Sequence, residues 1–175
     1  MSVITKKVNS LEYLTAEGIS APHCFTTRLG GVSTGSQASL NLAYGRGDDL
    51  ENVEQNLRIL ASALNFDPGK YVMTHQIHSD IVRVVTDADC SGLCHRAYPD
   101  CDALVTNTPG VALLVFTADC TPVLLHDPVT GAVGAAHAGS EAVGNRNIFR
   151  NKILQRIFGQ RLHIRLPCPG STFCT

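Results

Sequence analysis

Six short apolar runs lie between residues 71 and 136 of this 175-residue chain, and turn-forming residues separate them. Most are apolar at consecutive positions, which is typical of strands buried on both faces of a sheet. Such a sheet needs other elements packed around it, so the pattern predicts a fold that mixes strands and helices. The predicted strands cover residues 71–74, 81–86, 103–106, 111–116, 123–126 and 132–136, with a further short strand at 24–27.

Helical periodicity precedes these runs. Apolar residues recur at the spacing of one helix face at Val53, Leu57, Leu60 and Leu64. Asp48 and Asp49 come just before the series, and an aspartate near a helix N-terminus can accept hydrogen bonds from its exposed amides. The pattern predicts a helix over residues 50–64 that is closed near Pro68-Gly69.

The last two predicted strands are joined by Asp-Pro-Val-Thr-Gly at residues 127–131. Proline presets one backbone dihedral and glycine permits a positive φ, so this segment predicts a turn. A hairpin through this turn brings the start of one strand beside the end of the other. Cys120 precedes the first strand and His137 follows the second, so the hairpin predicts that they lie at the same end of the sheet.

His78, Cys120 and His137 each stand at the edge of an apolar run. Imidazole and thiolate groups suit zinc or copper, and three protein ligands leave one position open, as in catalytic metal sites. Each residue alone also has a purely structural interpretation, because a buried cysteine is usually inert and a single buried histidine often bonds only to its neighbours.

Length and charge restrict the class of protein. Residues 1–175 fit a single domain, and 14 Lys and Arg against 15 Asp and Glu give a formal net charge of −1. No basic run appears, so nucleic acid is not an expected partner. The start of the chain lacks the apolar stretch of a secretory signal, and no run reaches the roughly 18 apolar residues of a membrane span. These features predict a soluble cytoplasmic protein without a membrane partner.

Seven cysteines without an export signal favour reduced thiols. Cys24 is expected to be a small buried apolar residue. Cys90, Cys94, His95 and Cys101 form a Cys-x3-Cys-His-x5-Cys cluster, whose spacing matches no standard zinc knuckle. We therefore interpret this cluster as an irregular loop with free thiols, with structural zinc as the alternative.

Seven segments together resemble the polyphenol oxidase family. This laccase-like family is also associated with zinc-dependent purine nucleoside phosphorylase and adenosine deaminase activity. The resemblance runs in order over residues 20–139, which form the family-like core. The segments are Thr-Thr-Arg-Leu-Gly-Gly-Val-Ser at 26–33, Ser-Leu-Asn-Leu at 39–42, Gly-Asp at 47–48, Gln-Ile-His at 76–78, Asp-Ala-Leu-Val-Thr at 102–106, Thr-Ala-Asp-Cys-Thr-Pro-Val at 117–123 and Ala-His-Ala-Gly at 136–139.

The resemblance implies an α/β fold of layered mixed β-sheets flanked by helices (α/β/β/α), related to toxin-type cysteine hydrolases. That relation suggests an alternative in which Cys120 is the nucleophile and His137 the base of a cysteine hydrolase or deamidase. The resemblance also implies that His78, Cys120 and His137 hold one metal ion. The implied activities are phosphorolysis of adenosine, inosine, guanosine and methylthioadenosine, and deamination of adenosine. The expected partners are a purine nucleoside and phosphate, with the protein a monomer or homodimer. Copper-dependent phenol oxidation ranks below zinc, because the other five histidines form no evident coordination pattern.

Four other residues are candidates for binding or catalysis. Arg28 is expected to bind phosphate through its forked donors, and the loop from Gly30 to Ser33 is expected to turn its amides toward the anion. Asn41 can hydrogen-bond a ribose or base edge, or cap a turn. Asp119 can orient a ligand or act as a general base, or simply cap nearby amides.

The resemblance ends after residue 139. Family members normally continue His-Ala-Gly with Trp-Arg-Gly, whereas this chain has Ser-Glu-Ala at 140–142. Residues 140–175 are therefore expected to be a divergent C-terminal tail, of the kind a shifted reading frame or truncated gene produces. Residues 148–158 have the apolar spacing of an amphipathic helix. An inactive truncated remnant is accordingly an alternative to an active enzyme.

Overall fold

Nine strands and one α-helix make up the regular structure of residues 2–90 and 100–139, which the computed structural model describes. These elements form three sheets, and the predicted mixed α/β class is confirmed. The elements are β1 Val3–Val8, β2 Leu11–Ala16, β3 Phe25–Thr26, α1 Leu50–Leu64, β4 Tyr71–Met73, β5 Val82–Val84, β6 Ala103–Thr106, β7 Ala112–Leu114, β8 Thr121–His126 and β9 Val133–Ala138, with 3₁₀ turns at Gly35–Gln37 and Asp87–Asp89.

An antiparallel sheet of β1, β2 and β3 opens the chain. Asn9, at φ 55°, lies in the two-residue turn between β1 and β2, a position where asparagine tolerates the left-handed conformation. The hairpin of β1 and β2 was not predicted. Every residue of β1 is exposed, and its sequence, Val-Ile-Thr-Lys-Lys-Val, lacks the alternation of apolar and polar residues by which a half-buried strand is recognised.

Helix α1 spans the predicted residues, and Val53, Leu57 and Leu60 on its apolar face are buried. It ends at Leu64, its predicted bound, and the capping residue Asn65 takes the left-handed conformation. The Asp49 side chain makes no capping hydrogen bond. Asp48 instead accepts one from the amide of Asp49 at 2.9 Å, so the predicted aspartate cap is replaced by a bond just outside the helix.

The parallel pair β4 and β7 lies between α1 and the remaining sheet. Tyr71 and Met73 of β4 pack in one cluster with Leu57 of α1. Val72, which points to the opposite face, packs in another cluster with Leu104 of β6. Successive side chains of a strand point to opposite faces, so this short strand holds two layers together.

The largest sheet has the strand order β5-β6-β9-β8. β5 pairs with β6 in parallel, whereas β6, β9 and β8 pair antiparallel. The predicted hairpin of β8 and β9 is confirmed, with Gly131 at φ 74° in its turn. Asp127 stabilises the turn by accepting hydrogen bonds from the Val129 amide and the Thr130 hydroxyl. Leu104 covers one face of the sheet, while Val105 packs with β8 and β9 on the other.

The predicted strands are all present, with β6 at its predicted bounds. β8 begins earlier and β9 begins and ends later than expected, while β3, β4, β5 and β7 are shorter. No helix in residues 2–90 and 100–139 is long and apolar enough to cross a membrane. The predicted helix at 148–158, the predicted tail, Cys94 and His95 lie outside the described residues. Cys101 is buried, and Cys90 packs against its cluster as a free thiol.

Candidate metal centre

His78, Cys120 and His137 converge at one end of the β8–β9 hairpin. Their ligand atoms all lie within 4.8 Å of one another. Cys120 Sγ is 3.9 Å from His78 Nε2, and the two imidazole rings meet edge to face with centroids 4.9 Å apart. The structure thus brings together the three residues that the sequence suggested as metal ligands.

The register of the hairpin explains why Cys120 and His137 meet. Thr121 pairs with Ala138, and Pro122 pairs with His137. Cys120 therefore stands immediately before β8, beside the end of β9. Gly139 follows β9 at the same edge, and a Cβ on it would lie 3.1 Å from His78 Cδ2 and 4.0 Å from Cys120 Sγ. A residue without a side chain leaves room here for the candidate ligands.

His78 enters the site from the loop between β4 and β5. Its φ of 58° lies in the left-handed region, which is uncommon for a non-glycine residue and requires support from its surroundings. Asp102, just before β6, supplies that support. Its carboxylate accepts hydrogen bonds from the amides of Ile77, His78 and Ser79 at 3.3, 3.1 and 2.6 Å.

Asp102 also contacts His137, and the sequence analysis missed this residue as part of the site. Its Oδ1 lies 2.8 Å from His137 Nδ1, and both side chains are buried. Burial pushes the pKa of Asp102 upward, but hydrogen bonds from Ser79, His137 and Ile77 outweigh it and hold the pKa below its ordinary value. The one signal in the sequence was a charged residue at the start of a buried apolar strand.

The donor set fits a transition-metal ion. At the usual zinc–sulfur and zinc–nitrogen lengths, tetrahedral geometry places ligand atoms roughly 3.4–3.6 Å apart. The separation of 3.9 Å between Cys120 Sγ and His78 Nε2 is within a few tenths of an ångström of that spacing. Because His137 Nδ1 faces Asp102, its Nε2 is the nitrogen left for an ion. The described residues hold one such group of candidate ligands.

The surroundings of Cys120 disfavour the thiolate form of its side chain unless a cation is bound. Burial raises the pKa of this thiol, and the negative charges of Asp119 and Asp102 raise it further. A bound metal ion has the opposite effect, because it stabilises the thiolate directly. Asp119 itself is exposed next to Cys120, so its carboxylate is accessible at the edge of the site.

Arg28 helps to close the loop that precedes α1. Its Nε and Nη2 atoms both donate to the Ala38 carbonyl, with a distance of 2.8 Å from Nε. Its own carbonyl accepts hydrogen bonds from the amides of Ser39 and Leu40. The structure therefore gives Arg28 a role in organising the loop, and within the described residues its Nη1 donates no hydrogen bond.

The amides of residues 30–33 donate hydrogen bonds inside the protein, contrary to the expectation that they turn toward a bound anion. Gly30 and Gly31 donate to Ser39 Oγ, Val32 donates to Asn56 Oδ1, and the Ser33 amide donates to the Ser39 carbonyl. The glycines allow the loop to approach its neighbours closely, so its amides are satisfied inside the protein.

Ser33 and Asn41 meet at Asp48. The Ser33 hydroxyl donates to Asp48 Oδ2 at 2.6 Å, and Asn41 Nδ2 donates to the same oxygen at 3.0 Å. The buried Asn56 of α1 donates to Ser33 Oγ and to the Asn41 carbonyl. The two predicted substrate-binding residues are thus joined in a network that fastens the loop to the helix.

Comparison with known proteins gives a consistent picture. A family described as multi-copper polyphenol oxidoreductase laccase matches residues 22–157. A protein of Deinococcus radiodurans named purine nucleoside phosphorylase is 47% identical over 129 residues, which are 74% of this chain and 47% of that protein. A Corynebacterium glutamicum protein of the same name is 46% identical over 123 residues, 70% of this chain and 48% of that protein.

Two solved structures share the fold. YlmD from Geobacillus stearothermophilus has a TM-score of 0.73 and 31% identity, covering 86% of this chain and 59% of that one. YfiH from Bacillus licheniformis has a TM-score of 0.72 and 28% identity, covering 86% and 57%. The chain spans about half the length of the curated relatives it matches. The match across residues 22–157, supported by these identities, shows that the chain belongs to the multi-copper polyphenol oxidoreductase laccase family.

Proposed function

We propose that this chain carries the zinc site of a purine nucleoside phosphorylase. The observation that carries the proposal is the convergence of His78, Cys120 and His137 within 4.8 Å. Relatives of 46–48% identity are named purine nucleoside phosphorylase, which supports a nucleoside as the substrate. Adenosine, inosine, guanosine and methylthioadenosine are the proposed substrates.

Phosphorolysis requires a phosphate oxygen to bond to the ribose anomeric carbon while the bond to the base breaks. The base leaves with the bonding electron pair and takes up a proton. His78, Cys120 and His137 would hold the ion, which when bound polarises an oxygen of water or phosphate. Asp119 is the proposed proton-handling group, because its exposed carboxylate lies beside Cys120. Deamination of adenosine, with water replacing phosphate, is a proposed second activity.

Phosphate binding is assigned to Arg28 in this proposal. Hydrogen bonds to Ala38 hold the guanidinium in place, and Nη1 can still donate to an anion. Asn41 is the proposed contact to the ribose or base. Ser33 has the weaker case for direct contact, since it is 4% exposed and bonded to Asp48 and Asn56. We therefore propose that Ser33 acts by holding the loop that carries Arg28.

Two other uses of the site are less well supported. Copper-dependent phenol oxidation agrees with the description of the family, but a laccase needs several copper centres and the described residues offer one candidate site. A cysteine hydrolase or deamidase would use Cys120 as a nucleophile, yet burial raises the pKa of this thiol. Alkylation of Cys120 at the same rate with and without zinc would favour the hydrolase.

The proposed setting is a cytoplasmic monomer or homodimer. Cys24, Cys90, Cys101 and Cys120 are free thiols, as expected in a reducing compartment. No nucleic-acid partner is proposed, since the formal net charge is −1. Sedimentation of the purified chain distinguishes monomer from dimer.

The proposal is tested by metal analysis and a product assay on the full chain. We expect about one equivalent of zinc in the purified protein, and release of hypoxanthine from inosine only when phosphate is present. His78→Ala and Cys120→Ala should lose both zinc and product. His126→Ala is a matched control, because His126 lies at the far end of β8 from Cys120. Folded, zinc-loaded protein that forms no product would refute the nucleoside activity and support an inactive remnant.

A further inference from the structure

We propose that Asp102 is the positioning residue of the metal site. This inference rests on the proposed metal site, but concerns a residue outside the three ligands. It starts from the contacts of one buried carboxylate, which is 1% exposed. Five donors surround it: the amides of residues 77–79, the Ser79 hydroxyl and His137 Nδ1.

The contact with His137 determines which nitrogen remains for a metal. A carboxylate can only accept, so Nδ1 of His137 must carry the proton in the 2.8 Å hydrogen bond to Asp102. Nε2 is then the ring nitrogen whose lone pair can bind a metal ion. Outer carboxylates of this kind hold metal-binding histidines in one tautomer and one orientation.

The contacts with the loop determine where His78 stands. Three consecutive amides converge on the Asp102 carboxylate, as in the backbone concavities that bind anions. These bonds hold His78 at φ 58°, and its ring then lies edge to face against His137. One carboxylate therefore orients both imidazoles, although His78 lies in the loop between β4 and β5 and His137 lies in β9.

The contacts of Asp102 require an acceptor at both carboxylate oxygens. Oδ1 accepts from the His78 amide and from His137, and Oδ2 accepts from the amides of Ile77 and Ser79 and from the Ser79 hydroxyl. Among the residues that the structure describes, the ion-pair partner of Asp102 is His137. A side chain with a single acceptor oxygen at this position can hold only part of this set.

The test is competition for Zn²⁺ by a chromophoric chelator, using the full chain and its Asp102→Asn variant. The amide leaves one acceptor oxygen and turns a donor toward groups that are themselves donors. We expect affinity for Zn²⁺ to fall by about 10–100-fold. Asp100→Asn is the matched control, because Asp100 lies 2.8 Å from His75 Nδ1 in an exposed pair. Unchanged affinity for Zn²⁺ in folded Asp102→Asn would overturn the positioning role.

A second measurement needs no variant of Asp102. Nitrogen NMR of the metal-free chain, with His137 assigned by His137→Gln, should show His137 protonated at Nδ1. A ring with no proton on Nδ1 would overturn the positioning role, even if Asp102→Asn fails to fold. Failure of the proposed function looks different, because a chain whose zinc binding depends on Asp102 but that releases no base disproves only the nucleoside activity.

Discussion

The side-chain amide of Gln76 forms two hydrogen bonds with the main chain of Phe116. Its Nε2 donates to the Phe116 carbonyl at 2.6 Å, and its Oε1 accepts from the Phe116 amide at 2.7 Å. Gln76 thereby pairs with Phe116 as one residue of a strand pairs with another. Gln76 lies two residues before His78, and Phe116 lies four residues before Cys120. This contact therefore holds together the two chain segments that carry these candidate ligands.

Replacement of Gln76 should therefore weaken the metal site. Gln76→Ala removes both hydrogen bonds, which costs about 1 kcal/mol each in the free energy of unfolding. We expect weaker zinc binding and faster alkylation of Cys120 in the metal-free chain. Gln37→Ala is the control, because Gln37 donates one hydrogen bond to the Arg46 carbonyl in another loop. Unchanged zinc affinity in Gln76→Ala would show that the link does not serve the site.

Gly139→Ala should affect the metal site more than the fold. The added Cβ would lie 3.1 Å from His78 Cδ2, so the ring must move by a few tenths of an ångström. We expect zinc affinity to fall by up to about tenfold, as for changes around other metal sites. The urea midpoint should change little. Loss of stability without loss of zinc affinity would contradict the conclusion that Gly139 leaves room for the candidate ligands.

Gly31→Ala should destabilise the loop that carries Arg28. Its Cβ would collide with the Ser39 carbonyl and with Asn56 Oδ1, which are held by other hydrogen bonds. We expect a loss of about 1–3 kcal/mol in the free energy of unfolding, as for other overpacked sites. Gly69→Ala should stay within about 0.5 kcal/mol, since its nearest neighbour is the side chain of Asp67 at 3.2 Å. Urea unfolding measures both, and equal effects would contradict the close packing at Gly31.

Acid should weaken the attachment of this loop through Asp48. Hydrogen bonds from Ser33, Asn41 and Asn52 lower the pKa of Asp48 from 3.8 to about 2. Because the folded pKa lies below the unfolded one, the contribution of Asp48 to stability is present above about pH 4 and lost as pH falls toward about 2. Asp48→Asn should thus be destabilising at pH 7, and the difference from wild type should shrink below pH 4.

The measurement for Asp48 is urea unfolding of wild type and variant across this pH range. Asp49→Asn is the control, since the Asp49 side chain makes no capping hydrogen bond. A difference between Asp48→Asn and wild type that stays constant from pH 7 to pH 3 would contradict the role assigned to the carboxylate.

Local pattern was sufficient for the elements that bury an apolar face. The spacing of Val53, Leu57 and Leu60 predicted helix α1, and the turn at 127–131 predicted the hairpin that joins Cys120 to His137. The same reasoning failed for β1, whose exposed side chains carry no burial pattern. It also failed for the amides of residues 30–33, because their acceptors lie on Ser39 and Asn56, outside the loop's own sequence.

The sequence by itself determined the kind of donors available, two imidazoles and a thiol, and the hairpin that sets two of them side by side. Only the tertiary structure decided that Asp102 joins them. Its donors come from residues 77–79 and from His137, which are 23 to 35 positions away in the chain. Hydrophobic periodicity reports which face of an element is buried, whereas the partners of a buried polar group depend on how distant segments pack.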